Sequence, residues 1–475
     1  MYYFYLIFLL NVRGIFGFGL FSFDHGYRHI TKLRTYNATI LRNDEYRWIE
    51  QRLDHFDPNE KRTWKMRYVE NLDYWKPNGP IYVFVGGQYA ISDEIPIRYG
   101  YLHELQRETN GALIYSEHRY YGESIPLDIH VTDNLKYLSS HQALADLAHL
   151  IKTIKSSSTF ETSKVVFIGG SYAGNLVAWM KLKYPNLVDV AVASSAPVLA
   201  KVDFFEYLEK VSEDYQKLGP SGCLEKITEI FQRYEQLLKT ADGIEQLKKE
   251  ENICGDTDMT KLENKQMFFM VKISIFQMRA QYGTPDVIVD HCHQIMDSST
   301  PYLKRLYDDE PKLFRKYRNC IHYDYNIFIN IIKTGSLVPW FYQLCTEFGY
   351  FQTTTSAKQP FTNNVPVNFY YNVCTGLFGS EFDEKRVKRG VEYTNNFYGG
   401  LSPNVTMVVF VNGDKDPWSR LGIVNDLSSD APAIVIPKAF NCEDLLMDEP
   451  SDSDELIAAR KNIKKLVKKW IGFGA

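Results

Sequence analysis

The chain has 475 residues, of which 45% are hydrophobic and 24% are charged, and this composition is sufficient for a large buried core. A count of 54 Lys and Arg against 58 Asp and Glu gives a net charge of −4, which argues against a nucleic-acid partner. Aromatic residues make up 15% of the chain and exclude large-scale disorder, and only the N-terminus has a strongly apolar terminal stretch, which excludes a multi-span membrane protein.

The first apolar segment predicts entry into the secretory route. Residues 2–10 read YYFYLIFLL without a charge, which is too short to cross a bilayer but suits the core of a signal peptide. No Lys or Arg precedes this run and no A-x-A site follows it, so Gly17 and Gly19 are the best cleavage candidates. We expect residues 1–19 to be a signal peptide, with a buried strand or an uncleaved anchor as alternatives. Two triplets would carry glycan on this route: Asn37-Ala38-Thr39 and Asn404-Val405-Thr406.

Short apolar runs alternate with helical patterns from residue 81 onward. The runs with the length and composition of buried parallel strands are 81–85, 113–115, 165–168, 190–193, 407–411 and 433–436. Residues 141–154 place five apolar side chains on one helical face, and residues 456–471 form a basic amphipathic helix whose apolar stripe we expect to pack on the sheet. Alternating β and α elements that are interrupted once predict an α/β fold, a doubly wound sheet carrying a cap.

The interruption, residues 201–398, has few strand-like runs and many helical charge patterns. It also holds six of the seven cysteines: Cys223, Cys254, Cys292, Cys320, Cys345 and Cys374. Six cysteines in one region predict three disulfides, with about 15 pairings open, and leave Cys442 as an unpaired thiol. We therefore predict a disulfide-stapled helical cap inserted between core segments 40–200 and 399–475.

The most specific motif is a strand that runs directly into a tight turn and an apolar helix. The turn reads GGSYAG at residues 169–174. This is the context of a nucleophile elbow, in which a strained backbone exposes the hydroxyl of Ser171 above the sheet. The helix N-terminus favours developing negative charge, so the N–H of Tyr172 is the natural first oxyanion donor, and Gly87 after another strand would supply the second. Ala173 stands where the strict pattern has glycine, and a plain loop with a capping serine is the alternative.

Five segments occur in one order: QRLDHFDP at 51–58, SEHRYYGES at 116–124, GGSYAG at 169–174, SSAPV at 194–198 and NGDKDPW at 412–418. Together they resemble the serine peptidases that include prolyl carboxypeptidase, dipeptidyl peptidase II and thymus-specific serine protease, the last being most similar. The resemblance spans roughly residues 48–472. It implies an α/β-hydrolase core with a helical cap, and exopeptidase chemistry, often beside proline, in lysosomes or outside the cell. We expect a peptide substrate or ligand, no cofactor, no metal and no transmembrane span, and a homodimer is left open.

The resemblance also assigns roles by position. Ser171 matches the family's nucleophile, and Asp416 in the Asp-Pro-Trp segment matches its acid, whereas Asp414 is displaced from the motif and is expected to be solvated. The family's histidine commonly lies in a Ser-His-Cys-x-Asp segment, and the matching residues 440–444 read FNCED, so Asn441 occupies its place. No histidine follows Asp416 anywhere in the chain. An amide can hydrogen-bond to both neighbours but cannot carry a proton near neutral pH, and a serine hydroxyl without an adjacent base is a poor nucleophile.

Three other features are candidate parts of a site. Gln88 and the ring of Tyr89 replace the acid and the glycine of the family's usual Gly-x-Glu-Gly loop, which puts substrate binding in doubt. His118 follows a predicted strand and could replace the base, but a packed or hydrogen-bonded histidine is the expected state, because the family carries this segment alongside its own histidine. The His291-Cys292-His293 triplet lacks the second half of a metal site, so Cys292 is expected in a disulfide.

Three hypotheses follow. The favoured one is a secreted pseudoenzyme that keeps the pocket and binds peptides or a partner without turnover. The second is a working exopeptidase whose base comes from elsewhere in the chain. The third is an ordinary active enzyme whose recorded C-terminal segment contains an error.

Overall fold

The described residues of the computed structural model are 46–91, 101–298 and 320–473. The predicted signal peptide and Asn37 lie outside them. The chain forms two compact units. We call the unit that takes in Thr35–Ala200 and Glu392–Ala475 the sheet unit, and the unit that takes in Lys201–Val391 the helical unit.

The strands in the described residues include all six predicted ones, with bounds shifted by at most two residues. They are β1 Tyr46–Arg52, β2 Thr63–Asn71, β3 Ile81–Val85, β4 Ala112–Ser116, β5 Val165–Gly170, β6 Val190–Ser194, β7 Lys201–Asp203, β8 Gly349–Phe351, β9 Val408–Gly413 and β10 Ala433–Ile436. One sheet has the order β1-β2-β4-β3-β5-β6-β9-β10. Its β1–β2 and β2–β4 pairs are antiparallel, and the other neighbouring pairs are parallel.

The helices in the described residues occupy the stretches between these strands. They are α1 Tyr101–Thr109, α2 Ser140–Lys155, α3 Tyr172–Lys183, α4 Glu206–Leu218, α5 Cys223–Leu237, α6 Ala241–Glu250, α7 Leu262–Tyr282, α8 Pro285–Met296, α9 Tyr325–Lys333, α10 Val338–Gln343, α11 Val367–Phe378, α12 Glu384–Tyr398 and α13 Asp454–Trp470. Serine side chains cap two of them, because Ser139 accepts from the first turn of α2 and Ser453 from that of α13. No helix in this part of the chain is both long and apolar enough to cross a bilayer.

The core of the sheet unit lies between the parallel strands and the helices that cover them. Strands β3 to β6 and β9 are buried over their whole length, as is typical of parallel strands covered on both faces. Helix α13 contributes Ile463 and Val467 to this core, and Leu466 and Trp470 pack against it. The apolar stripe of the C-terminal helix therefore packs on the sheet, as the sequence pattern predicts.

The helical unit contains α4 to α11 and the short parallel pair of β7 and β8. Three disulfides cross-link its described residues: Cys223–Cys292, Cys254–Cys320 and Cys345–Cys374. The seventh cysteine, Cys442, is a buried free thiol of the sheet unit. The eight-stranded mixed sheet and the disulfide-linked helical insertion after β6 confirm the predicted α/β-hydrolase fold with a cap.

Candidate active site

The predicted nucleophile lies in a strained turn between β5 and α3. Ser171 has φ 57° and ψ −129°, a conformation that costs a non-glycine residue on the order of 1–3 kcal/mol and persists only when its surroundings enforce it. Its N–H donates to the carbonyl of Ser194 at 2.9 Å. Close packing also holds the turn, since a Cβ on Gly174 would lie 2.7 Å from that same carbonyl oxygen. The Ser171 hydroxyl has no hydrogen-bond partner among the described residues of the sheet unit.

Two backbone segments border this turn where the oxyanion donors are predicted. Tyr172 begins α3 and is 1% exposed, so its backbone is fixed by its buried side chain. The loop after β3 passes close by, because a Cβ built on Gly87 would lie 3.5 Å from the backbone nitrogen of Ala173. The structure thus brings Gly87 next to the N-terminus of α3, where an oxyanion hole requires a second donor.

His118 is engaged by partners other than Ser171. One ring nitrogen, Nδ1, donates to the carbonyl of Arg119 at 2.7 Å, which leaves Nε2 to accept from the Tyr172 hydroxyl at 3.0 Å. Burial lowers the pKa of His118 to about 4, so the ring is neutral at physiological pH. His118 is therefore a buried histidine with both nitrogens occupied, and it is hydrogen-bonded to the side chain of Tyr172, the predicted first oxyanion donor.

The predicted acid lies at the turn that follows β9. Asp416 is 0% exposed; its Oδ1 accepts from the Trp418 N–H at 3.0 Å, and its Oδ2 accepts from Asn441 Nδ2 at 2.9 Å. These two hydrogen bonds and the nearby Ser195 side chain lower the pKa of the carboxyl group. Burial nevertheless raises the pKa of Asp416 to about 6. Asp414, two residues earlier, is exposed as expected, and its carboxylate accepts from a backbone N–H.

Asn441 follows β10 and is 4% exposed. Its Nδ2 faces Asp416, while its Oδ1 accepts from the Cys442 thiol at 3.4 Å. These two contacts fix which end of the amide faces the acid, because a carboxylate can only accept from a donor. Cys442 itself has φ 59°, and its N–H donates to Ser195 Oγ at 2.9 Å. The position that the family resemblance assigns to an imidazole is thus filled by a neutral, fully engaged amide.

The segment 441–444, the loop that carries Asn441, is held in place by a residue that the sequence analysis did not identify. Arg460 of α13 is 3% exposed, and it donates from Nε to the Asp444 carbonyl at 3.1 Å and from Nη2 to the Glu443 carbonyl at 2.8 Å. Its Nη1 also pairs with the carboxylates of Asp448 and Asp452. The sequence does carry a signal for this role, because Arg460 lies on the inward face of an amphipathic helix shortly after an acidic segment.

The other predicted site residues among the described residues are Asn404 and the cysteines. Asn404 is exposed, as an acceptor for glycan must be. Cys292 is bonded to Cys223, so it has no thiolate for the neighbouring histidines to share with a metal. A second group with metal-ligand geometry consists of Cys254, Cys320 and His322, but its two cysteines are bonded to each other.

Comparison with known proteins places this geometry in a family. The family described as Serine carboxypeptidase S28 matches residues 51–463. Thymus-specific serine protease of Mus musculus is 32% identical over 448 residues, which cover 89% of this chain and 87% of that protein. Lysosomal Pro-X carboxypeptidase of Homo sapiens is 28% identical over 468 residues, which cover 94% and 92% of the two chains. A solved proline iminopeptidase of Mycobacterium smegmatis aligns with 86% of this chain and 95% of its own, at 11% identity and a TM-score of 0.35. The match over most of the length shows that this chain belongs to the serine carboxypeptidase S28 family.

Proposed function

We propose that this chain is a peptide-binding member of its family whose hydrolytic turnover is lost or very low. The observation that carries the proposal is the 2.9 Å hydrogen bond from Asn441 Nδ2 to Asp416, both residues being buried. An amide in this position can orient a neighbour, but it cannot accept the Ser171 proton or return it to a leaving amine. In a related triad hydrolase, loss of one member lowers turnover by roughly 10⁴- to 10⁶-fold.

The remaining machinery supports retained binding. The elbow at Ser171 keeps its strained backbone, and Gly87 keeps its place beside α3. We propose a peptide as the ligand, since the named relatives are a serine protease and a Pro-X carboxypeptidase. We also propose the secretory route, with delivery to the lysosome or outside the cell, which the N-terminal apolar run, the three disulfides and the lysosomal relative support.

The test compares the rate at which a fluorophosphonate probe labels the wild-type chain, Ser171→Ala and Asn441→His. We expect slow labelling of the wild type and none of Ser171→Ala, because the probe needs a nucleophilic oxygen. Asn441→His should label at least about 100-fold faster and hydrolyse proline-containing fluorogenic peptides, because an imidazole beside Asp416 restores the base. Rapid labelling of the wild type that Ser171→Ala abolishes would overturn the proposal in favour of a base from elsewhere in the chain.

A matched control separates the position from the residue type. Asn425 is an exposed asparagine of the same unit. Asn425→His adds an imidazole at this exposed position and leaves residue 441 unchanged, so it should leave probe labelling and hydrolysis at the wild-type level. Peptide mass mapping of the protein purified from its natural source checks the third hypothesis directly. A histidine at position 441 would change the mass of the peptide that contains this residue.

A further inference from the structure

Two consecutive serines at the carboxyl end of β6 lie between the nucleophile, the acid and the loop that carries Asn441. Ser194 and Ser195 are 0% and 2% exposed. Ser195 has φ 44°, an uncommon conformation for a residue with a side chain. A strained backbone persists only where neighbouring residues enforce it, which indicates that the position of Ser195 matters. The hydrogen bonds of the two serines show which segments they hold.

Ser194 connects the nucleophile turn to the far end of the loop. Its carbonyl accepts the Ser171 N–H at 2.9 Å. Its hydroxyl donates to Asp444 Oδ1. One residue therefore fixes the backbone of the elbow and the end of the 441–444 segment at the same time.

Ser195 connects the acid to the start of the same segment. Its Oγ accepts the Cys442 N–H at 2.9 Å. Its side chain also lies near enough to Asp416 to lower the pKa of that carboxyl group. The N–H of Ser195 donates in turn to the Val411 carbonyl at 2.6 Å, which ties the residue to the strand that precedes the acid.

We propose that Ser195 is a positioning residue of the candidate active site, which binds the loop at Cys442 through its hydroxyl and the strand before Asp416 through its N–H, and thereby sets residue 441 against Asp416. The inference rests on the proposed function in that it assigns a role at the same site. Ser195 does not touch the reacting atoms; it acts through Asp416 and Cys442. The hydrogen bond between Asn441 and Asp416 forms because Ser195 holds the segments that carry these two residues.

The first test uses readouts that need no activity. In Ser195→Ala, Cys442 loses the acceptor of its N–H, so we expect amide exchange across residues 440–446 and alkylation of the Cys442 thiol to be about five- to tenfold faster. The matched control is Ser163→Ala, because Ser163 is 1% exposed and its hydroxyl has no partner in the described part of the chain. Unchanged exchange and alkylation in folded Ser195→Ala would overturn the proposal.

A second variant keeps the test decisive if the alanine variant does not fold. Ser195→Cys retains the shape of the side chain but weakens the hydrogen bond from the Cys442 N–H, so exchange and alkylation at Cys442 should be intermediate. In the Asn441→His background, Ser195→Ala should lower kcat about tenfold with KM within about twofold, because alignment of the base is lost and the binding surface is kept. If Asn441→His gains no activity, this result counts against the proposed function and not against the role of Ser195. Amide exchange and Cys442 alkylation alone then decide whether Ser195 is a positioning residue.

Discussion

Asn441 donates from Nδ2 to Asp416 Oδ2 over 2.9 Å, at a place where both side chains are almost closed to solvent. In an active hydrolase triad, the corresponding carboxylate faces an imidazole that becomes charged during the reaction. In this chain, the carboxylate of Asp416 faces the amide of Asn441, which stays neutral. Burial raises the pKa of Asp416 to about 6 and outweighs the hydrogen bonds and the charge of Lys415, which lower it.

Asp416→Asn in the Asn441→His background tests whether the acid supports a restored base. We expect the gained hydrolysis to fall by about 10⁴-fold, because the imidazole loses the partner that fixes its tautomer and stabilises its charged form. The measurement is kcat for a fluorogenic peptide. Asp414→Asn is the control, since this neighbouring carboxylate is exposed, and it should leave the gained rate within about twofold. Equal losses in the two variants would contradict the assignment of the acid.

Asp444→Asn tests a pH dependence built into the 441–444 loop. Asp444 is 3% exposed, its Oδ2 is buried without a partner among the described residues, and burial raises its pKa to about 6. Because the pKa of Asp444 in the folded chain lies above the ordinary aspartate value of 3.8, this group's stabilisation is complete below pH 3.8 and is lost as the pH rises through 6. The loss amounts to about 3 kcal/mol.

The wild-type chain should therefore lose more stability than Asp444→Asn when the pH is raised from about 4 to about 7.5. Thermal midpoints of both chains at several pH values measure this difference. Asp430→Asn, which changes an exposed carboxylate, should follow the wild type. Parallel curves for wild type and Asp444→Asn would show that Asp444 stays ionised in the folded chain.

Gly170→Ala tests the close packing of the elbow against the loop. A Cβ at this position would lie 2.7 Å from Cys442 Sγ and 2.8 Å from Leu445 Cδ1. We expect a loss of about 1–3 kcal/mol from overpacking. Cys442→Ala removes the sulfur, so Gly170→Ala should cost less in that background, and a double-mutant cycle on thermal stability measures the coupling. Strict additivity would mean that the chain relieves the clash by moving elsewhere.

Tyr172→Phe tests the support that His118 receives beneath the elbow. The hydroxyl of Tyr172 is the donor to His118 Nε2, and its loss leaves a buried acceptor unpaired at a cost of about 1–3 kcal/mol. We expect a lower thermal midpoint with unchanged probe labelling of Ser171 in the wild-type background. A large drop in labelling caused by His118→Asn, combined with rapid wild-type labelling, would instead identify His118 as the base.

Removal of single disulfides tests how the helical unit is stabilised. The Cys223–Cys292 bond closes a 69-residue separation and Cys345–Cys374 one of 29 residues. Loop entropy gives each bond about 4 kcal/mol, with less than about 1 kcal/mol between them. Paired Cys→Ala substitutions with thermal unfolding measure both losses. A loss several times larger for one bond would point to a structural role beyond constraint of the unfolded chain.

The sequence was most informative where one local rule decided the structure. Continuous apolar runs predict parallel strands, so β3 and β10 have the predicted bounds; β3 is buried throughout, whereas β10 is buried only at its last residue, contrary to the prediction that it is a buried strand. The pair β1 and β2 was not predicted, because β1 has one buried residue and β2 alternates between exposed and buried residues over only its first four. Trp64 and Met66, buried two residues apart, carried the period-two signal that would have located β2.

The candidate site was predictable only where a motif marks it. The elbow motif predicts Ser171 and Tyr172, the glycine pair after β3 predicts Gly87, and the family resemblance assigns Asp416 and Asn441. Ser195 could be named as part of SSAPV but not assigned a partner, because its contacts to residues 416 and 442 join segments more than 200 positions apart. Such contacts depend on the order of strands in the sheet, which no local pattern specifies.

The position of Arg460 makes the 441–444 loop depend on a helix that follows it in the chain. The guanidinium that binds the Glu443 and Asp444 carbonyls belongs to α13, which also covers part of the sheet core with Ile463 and Val467. Proteolytic removal of α13 would therefore uncover that core and leave the loop without its anchor at the same time, whereas the Ser171 turn would keep its backbone hydrogen bond to Ser194.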